Sequence, residues 1–210
     1  MRVLVIGANG KVGKHIVNKL RDDGHEPVPM VRDTDQIPQF EEKGFKPVLG
    51  DLEKDFESAF YNIEAVIFAA GSGPHTGADK TILIDQEGAI KAVDRSKYFG
   101  VKKFVMLSSI AADRPESTPD TFRHYMYAKH RADEYLKQSG LNYTIVRPGI
   151  LTNDAGTGKV KLQHHVNGFE KIPREDVAET LSFLLSEPKA LNESFDLVSG
   201  EQRIQETLTN

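Results

Sequence analysis

The chain has no cysteine among its 210 residues. Disulfides, thiolate metal sites and cysteine nucleophiles are therefore excluded, and the composition suits a reducing compartment, so a cytoplasmic location is expected. No apolar run approaches the roughly 20 residues that a membrane-spanning helix needs, and no membrane partner is expected. The amino terminus lacks a basic segment followed by a long apolar stretch, so no signal peptide is expected either. An excess of basic residues is also missing. The formal charge of −4 argues against nucleic acid as a partner. There is no internal repeat, low-complexity tract or linker, and residues 1–210 are read as one domain, with a short substrate-side extension from about residue 151 onwards.

What is present is an alternation of short apolar runs with longer helical patterns. Val3-Leu4-Val5-Ile6 is a continuous apolar run, as in a strand buried on both faces of a parallel sheet. Further strands are expected at Val28–Val31, Lys46–Leu49, Ala65–Ala69, Phe104–Leu107 and Tyr143–Val146, with a last one at Phe195–Val198. Helices are expected at Lys14–Asp23, Gln36–Lys43, Lys54–Phe60, Asp79–Phe99 and Thr121–Ser139, and from Pro173 to about Ser186. Strands alternating with helices predict an α/β fold, a doubly wound parallel sheet. After Pro148 the pattern changes, and Leu151–Val166 is expected to form a hairpin or flap beside a carboxyl-terminal helix.

The first strand runs into Gly7-Ala8-Asn9-Gly10-Lys11-Val12-Gly13, and a helix follows. Gly7 permits a tight turn, Gly10 lets backbone approach a pyrophosphate, and Gly13 lets helix and strand come close. The phosphates would then meet free N–H groups at the positive end of a helix. A triphosphatase phosphate loop is excluded, because Gly13-Lys14 is followed by His15 and Ala8 stands where its first glycine is required. The end of the second strand, where users of NAD often carry an acid, reads Met30-Val31-Arg32-Asp33; Val31 stands at the acid's position and Arg32 follows it. Arg32 could clamp a 2′-phosphate, which favours NADP over NAD; Asp33, one residue on, keeps NAD open.

The Gly-x-x-Gly-x-x-Gly spacing resembles the extended and atypical branches of the short-chain dehydrogenase/reductase superfamily, epimerase-like and NmrA-like members included. The opening stretch is similar to that of nucleotide-sugar epimerases, and the resemblance runs to about Asp176. It implies a Rossmann fold and an NAD(P) coenzyme held by Gly7, Asn9, Gly10, Lys11, Val12 and Gly13. Asp51 and Leu52 would lie beside the adenine, and Ala69, Ala70 and Gly71 beside its ribose. Ser108, Pro148 and Gly149 would face the nicotinamide end, the last two within Arg147-Pro148-Gly149.

Tyr125 and Lys129 form Tyr-x-x-x-Lys on one face of a predicted helix. A nearby ammonium, together with a positively charged oxidised nicotinamide, would stabilise the phenolate and lower the phenol's pKa from about 10. By resemblance, Tyr125 exchanges a proton with a substrate oxygen, Lys129 holds the nicotinamide ribose and tunes Tyr125, and Ser109 binds the same oxygen. Tyr127 is expected to face away. The sequence departs from the superfamily at Ile84-Asp85-Gln86-Glu87-Gly88, which lacks the proton-relaying asparagine of many members. The stretch after the sixth strand is also far shorter than in nucleotide-sugar epimerases. His164 and His165 read as polar flap residues rather than metal ligands, and Asp176 as a helix cap. The expected function is hydride transfer to or from a small carbonyl or alcohol. Two alternatives stand: a non-catalytic NADP(H)-binding redox sensor with a protein partner, and an NAD-dependent epimerase or dehydratase. A homodimer through the Asp79–Phe99 and Thr121–Ser139 helices is compatible with the resemblance.

Overall fold

The computed structural model describes residues 1–73 and 76–208, so the final two residues of the expected carboxyl-terminal extension lie outside the described part. The apolar runs become strands whose successive side chains point to opposite faces. In β1 (Arg2–Ile6), Val3 and Val5 join one apolar cluster while Leu4 and Ile6 join another. The first cluster is covered by α1 (Lys11–Asp22), which lays Ile16, Val17 and Leu20 on the sheet. After it come β2 (Glu26–Val31), the single helical turn α2 (Pro38–Glu41), β3 (Val48–Leu49) and β4 (Ala65–Phe68).

A helix then runs over 78–98 in three parts: α3 (Ala78–Lys80), a π-helical stretch (Thr81–Gly88) and α4 (Ala89–Tyr98). Next are β5 (Lys103–Leu107), α5 (Asp120–Gln138), β6 (Tyr143–Pro148), β7 (Ile150–Thr152), β8 (Lys159–Gln163) and β9 (Lys171–Pro173). The described chain closes with α6 (Arg174–Ser186), β10 (Glu193–Ser199) and β11 (Gln202–Arg203), followed by one 3-10 turn.

Nine strands form one sheet in the order β11-β8-β10-β6-β5-β4-β1-β2-β3. From β3 to β10 all neighbours are parallel, whereas β8 runs antiparallel to both β10 and β11. Helices α1 and α6 cover one face, and α4 and α5 cover the other. This is the doubly wound sheet that the alternation predicts. Its strand order reverses between β1 and β4, the place where such sheets open a crevice at their carboxyl ends.

Four local expectations need correction. Lys54–Phe60 is not a full helix but one 3-10 turn, Glu57–Phe60. Asp51 and Asp55 accept the backbone N–H groups of Glu53 and Glu57 at 3.0 Å each, and such local bonds compete with the helical ladder. Gln36–Lys43 is divided: Asp33 and Gln36 close a capping box around Thr34–Gln36, and Pro38 starts α2 afresh. Leu151–Val166 is neither hairpin nor flap. Its first residues sit in β7, which pairs with β9 in a separate two-stranded sheet, and β8 joins the main sheet because Val160 and Leu162 are buried while their neighbours face solvent. Finally, Phe195–Val198 lies in β10, which is followed by β11.

Candidate coenzyme and catalytic site

A cleft of about 720 Å³ opens at the β1/β4 switch point. Its floor is the glycine turn. Gly7 has φ +88°, and a Cβ there would stand 2.6 Å from the Ala70 nitrogen, so a side chain would fill the space between the two strand ends. A Cβ on Gly13 would collide with the Gly7 carbonyl oxygen, which shows how closely α1 approaches the turn. Gly10 precedes α1 without a capping side chain, and the first turn holds no acidic residue. The amides of that turn are thus left for an external acceptor, and an anion is the acceptor favoured there. The cradle fits the diphosphate of a dinucleotide.

Gly7, Gly10, Lys11, Val12, Ala69, Ala70, Gly71, Ser108, Lys129 and Pro148, all expected at the coenzyme, line this cleft together with Tyr125. The other expected residues do not. Asn9 instead accepts a 2.9 Å bond from the Gln39 side chain of α2. Asp51 pairs with Lys54 at 3.4 Å, and Leu52 is buried against Gly88. Gly149 donates to the Leu197 carbonyl at 2.9 Å and lies against the backbone of Glu170. Arg32 stands exposed beyond β2, its Nε 3.3 Å from Asp33. Ser109 is not part of the lining, to which Ser108 contributes; its hydroxyl points to the Ile110 carbonyl oxygen at 3.5 Å.

On α5, Lys129 is buried and reaches three groups. Its Nζ is 3.1 Å from Asp85 Oδ1, 3.4 Å from the Leu107 carbonyl oxygen and 5.7 Å from the centre of the Tyr125 ring. Asp85 is itself buried and comes from the π-helical stretch; its Oδ2 accepts the Ser72 amide at 2.9 Å. Burial favours a neutral amine, but the Tyr125 and Asp85 charges outweigh it and hold the Lys129 ammonium above its usual range. The Tyr125 phenol is pushed up, chiefly by burial. Lys129 and Ser109 oppose that rise, and Asp85 and Asp133 reinforce it. Lys129 thus pulls the phenol down as expected, but in the chain without coenzyme burial outweighs it.

One turn beyond Lys129, buried Asp133 accepts from Arg147 Nε at 3.0 Å, and Arg147 reaches Asp113 at 3.5 Å. Burial raises the Asp133 carboxyl despite Arg147. Arg147 thus braces α5 against β6, while Pro148 alone of the Arg147-Pro148-Gly149 segment faces the cleft. Tyr127 turns outward and donates to Glu116 at 3.0 Å, as its helical position predicts. Asp176 is structural without being a cap. It accepts the Thr157 and Gly158 amides at 2.9 and 2.8 Å, tying the loop before β8 to α6. His164 stacks on Phe195, and His165 meets Arg114 at 2.9 Å.

Asp85 and the Asp133–Arg147 pair were not among the expected site residues. The signals for them were a lone acid in the apolar run Ile82-Leu83-Ile84-Asp85 and a guanidinium ending the apolar strand Thr144-Ile145-Val146-Arg147. A charge in such a setting is stable only with a partner.

Sheet order, glycine turn and cleft together define a Rossmann-type dinucleotide-binding protein. The chain belongs to the NAD(P)H-binding family, whose pattern it matches over residues 7–188. It is 41% identical over 213 residues to YhfK of Bacillus subtilis (strain 168), an uncharacterised sugar epimerase, with 99% of each chain covered. A solved structure from Bacillus halodurans, provisionally named an NAD-dependent epimerase/dehydratase, is 47% identical with a TM-score of 0.96, covering 99% of this chain and 98% of that one. The oxidoreductase ylbE from Lactococcus lactis superposes with a TM-score of 0.87 at 28% identity, covering 99% and 95%. The coenzyme is a nicotinamide dinucleotide, and the family is oxidoreductase-like.

Proposed function

We propose that the protein is an NADPH-dependent reductase of a small carbonyl compound, with Tyr125 as proton donor. The observation that carries this reading is the placement of Tyr125 and Lys129 on the wall of the same cleft whose floor is the glycine turn. Ser108 lines that wall too, and the neighbouring Ser109 hydroxyl acts on the phenol, opposing the rise in its pKa. A bound reduced nicotinamide would supply hydride to the acceptor carbon and leave oxidised. As the carbonyl π bond breaks, Tyr125 passes its phenolic proton to the oxygen, and a serine hydroxyl donates a hydrogen bond to the charge developing there. Lys129 stabilises the phenolate so formed, which regains a proton from solvent. The preference for NADPH rests on Arg32. Asp33 is engaged by Gln36 and by Arg32 Nε at the start of a 3-10 turn, and the exposed guanidinium it braces is the group suited to a 2′-phosphate.

The test is coenzyme oxidation across a panel of aldehydes and ketones. Tyr125→Phe is expected to lower turnover about 100- to 10,000-fold while coenzyme binding persists. Arg32→Ala is expected to erase the preference for NADPH over NADH. Turnover unchanged in Tyr125→Phe removes Tyr125 from the chemistry. Tight coenzyme binding with no turnover on any carbonyl points instead to a coenzyme sensor.

A further inference from the structure

The geometry points to Asp85 as a positioning residue: its carboxylate, held between the Ser72 amide and Lys129, fixes the ammonium and offsets its field at Tyr125, keeping Tyr125 a phenol loaded to give a proton. The inference rests on the reading of Tyr125 as proton donor. Asp85 and Lys129 are both almost wholly shielded from water, and their charged atoms lie 3.1 Å apart. A lone ammonium 5.7 Å from the ring would favour phenolate, whereas an ammonium paired with a carboxylate presents a dipole whose negative end offsets part of that pull.

The other groups facing Tyr125 do not restore the imbalance. From its own helix comes Asp133, a second carboxylate that raises the phenol further, and from the segment after β5 comes the neutral Ser109 hydroxyl, which lowers it. Lys11 of α1, His124 of α5 and Arg174 of α6 stand along the cleft wall. The backbone explains how the carboxylate arrives there. A π-helix closes i→i+5 bonds, so its residues are set in a wider turn than α-helical ones, and the stretch over Thr81–Gly88 brings Asp85 inward onto α5. Its second oxygen is occupied by Ser72, and Ser72 Oγ lies 3.3 Å from Thr81 Oγ1, so the carboxylate also pins the cleft-lining segment after β4. Asp85 thereby performs two tasks, orienting Lys129 and setting the pH range in which Tyr125 carries its proton.

The tyrosinate ultraviolet absorbance of the full, coenzyme-free chain reports Tyr125 directly, once the titration of the matching Tyr125→Phe protein is subtracted. The wild-type phenol is expected to ionise above the ordinary value of about 10. In Asp85→Asn, which leaves Lys129 unopposed, it ionises at least about one pH unit lower. Asp85→Glu restores the wild-type curve. Superimposed Asp85→Asn and wild-type curves overturn the proposal. Should Asp85→Asn fail to fold, the double variant Asp85→Asn/Lys129→Met leaves no unpaired charge. It is expected to titrate like wild type, while Lys129→Met alone titrates higher; a double variant far from wild type refutes the offset. Because the titration needs neither coenzyme nor acceptor, its outcome is independent of whether the carbonyl screen succeeds.

Discussion

Lys103 shows what a single side chain does to this fold. It sits at the start of β5, buried, and among the described residues its amine meets the Tyr143 carbonyl oxygen at 3.3 Å. Burial lowers its amine from 10.5 to about 8. Below about pH 8 both folded and unfolded chains hold the proton, so the full cost of burying the charge is present. Between about 8 and 10.5 the unfolded chain binds more protons, so the contribution of this group to stability rises with pH. Lys103→Met is therefore expected to stabilise the protein at pH 7 by on the order of 1 kcal/mol, a figure discounted for the solvent that Nζ still reaches. The gain should vanish as denaturation is measured toward pH 10.5. A gain constant across that range would show that the buried charge is not its source. Tyr125 is the opposite case. Its type and its spacing from Lys129 were legible in the sequence, but the sign of its pKa shift was not, because the burial that raises it, with Asp85 and Asp133 reinforcing it, comes only with folding.

At the scale of elements, continuous apolar runs proved sufficient to read the buried parallel strands, since a strand covered on both faces leaves little room for polar residues. The glycine turn was legible for a related reason: close approach to Ala70 and to Gly7 leaves glycine as the residue that fits at positions 7 and 13. The strand β8 was misread because its alternating burial specifies one covered face without saying which neighbour covers it. The helix over 78–98 was read without its wide central turns, and so Asp85 went unassigned. In β8 the missing information is held by Asp176, far along the chain. Asp176→Asn puts an amide where the Thr157 and Gly158 N–H groups now find carboxylate oxygens. A loss of about 2–3 kcal/mol is expected. Hydrogen exchange should speed up at 157 and 158 well before it does in β6. Uniform acceleration across the sheet would instead mean that Asp176 supports the whole fold and not this loop.

For the whole molecule, coenzyme binding joins parts distant in sequence, because the cleft draws on residues from Gly7 to Arg174. A dinucleotide at about 100 times its dissociation constant should add about 2.7 kcal/mol to folding stability, or roughly 5–10 °C in Tm for a chain of this size. Differential scanning fluorimetry should show the larger shift with NADPH than with NADH. No shift with either nicotinamide coenzyme, oxidised or reduced, would contradict the coenzyme assignment. The sheet itself carries one more consequence. Its borders, β3 and β11, are two residues long each. A neighbouring copy would find room there for only a bond or two, so strand-by-strand growth of one molecule onto the next has no template, and crowded solutions of this protein should resist fibrillar association.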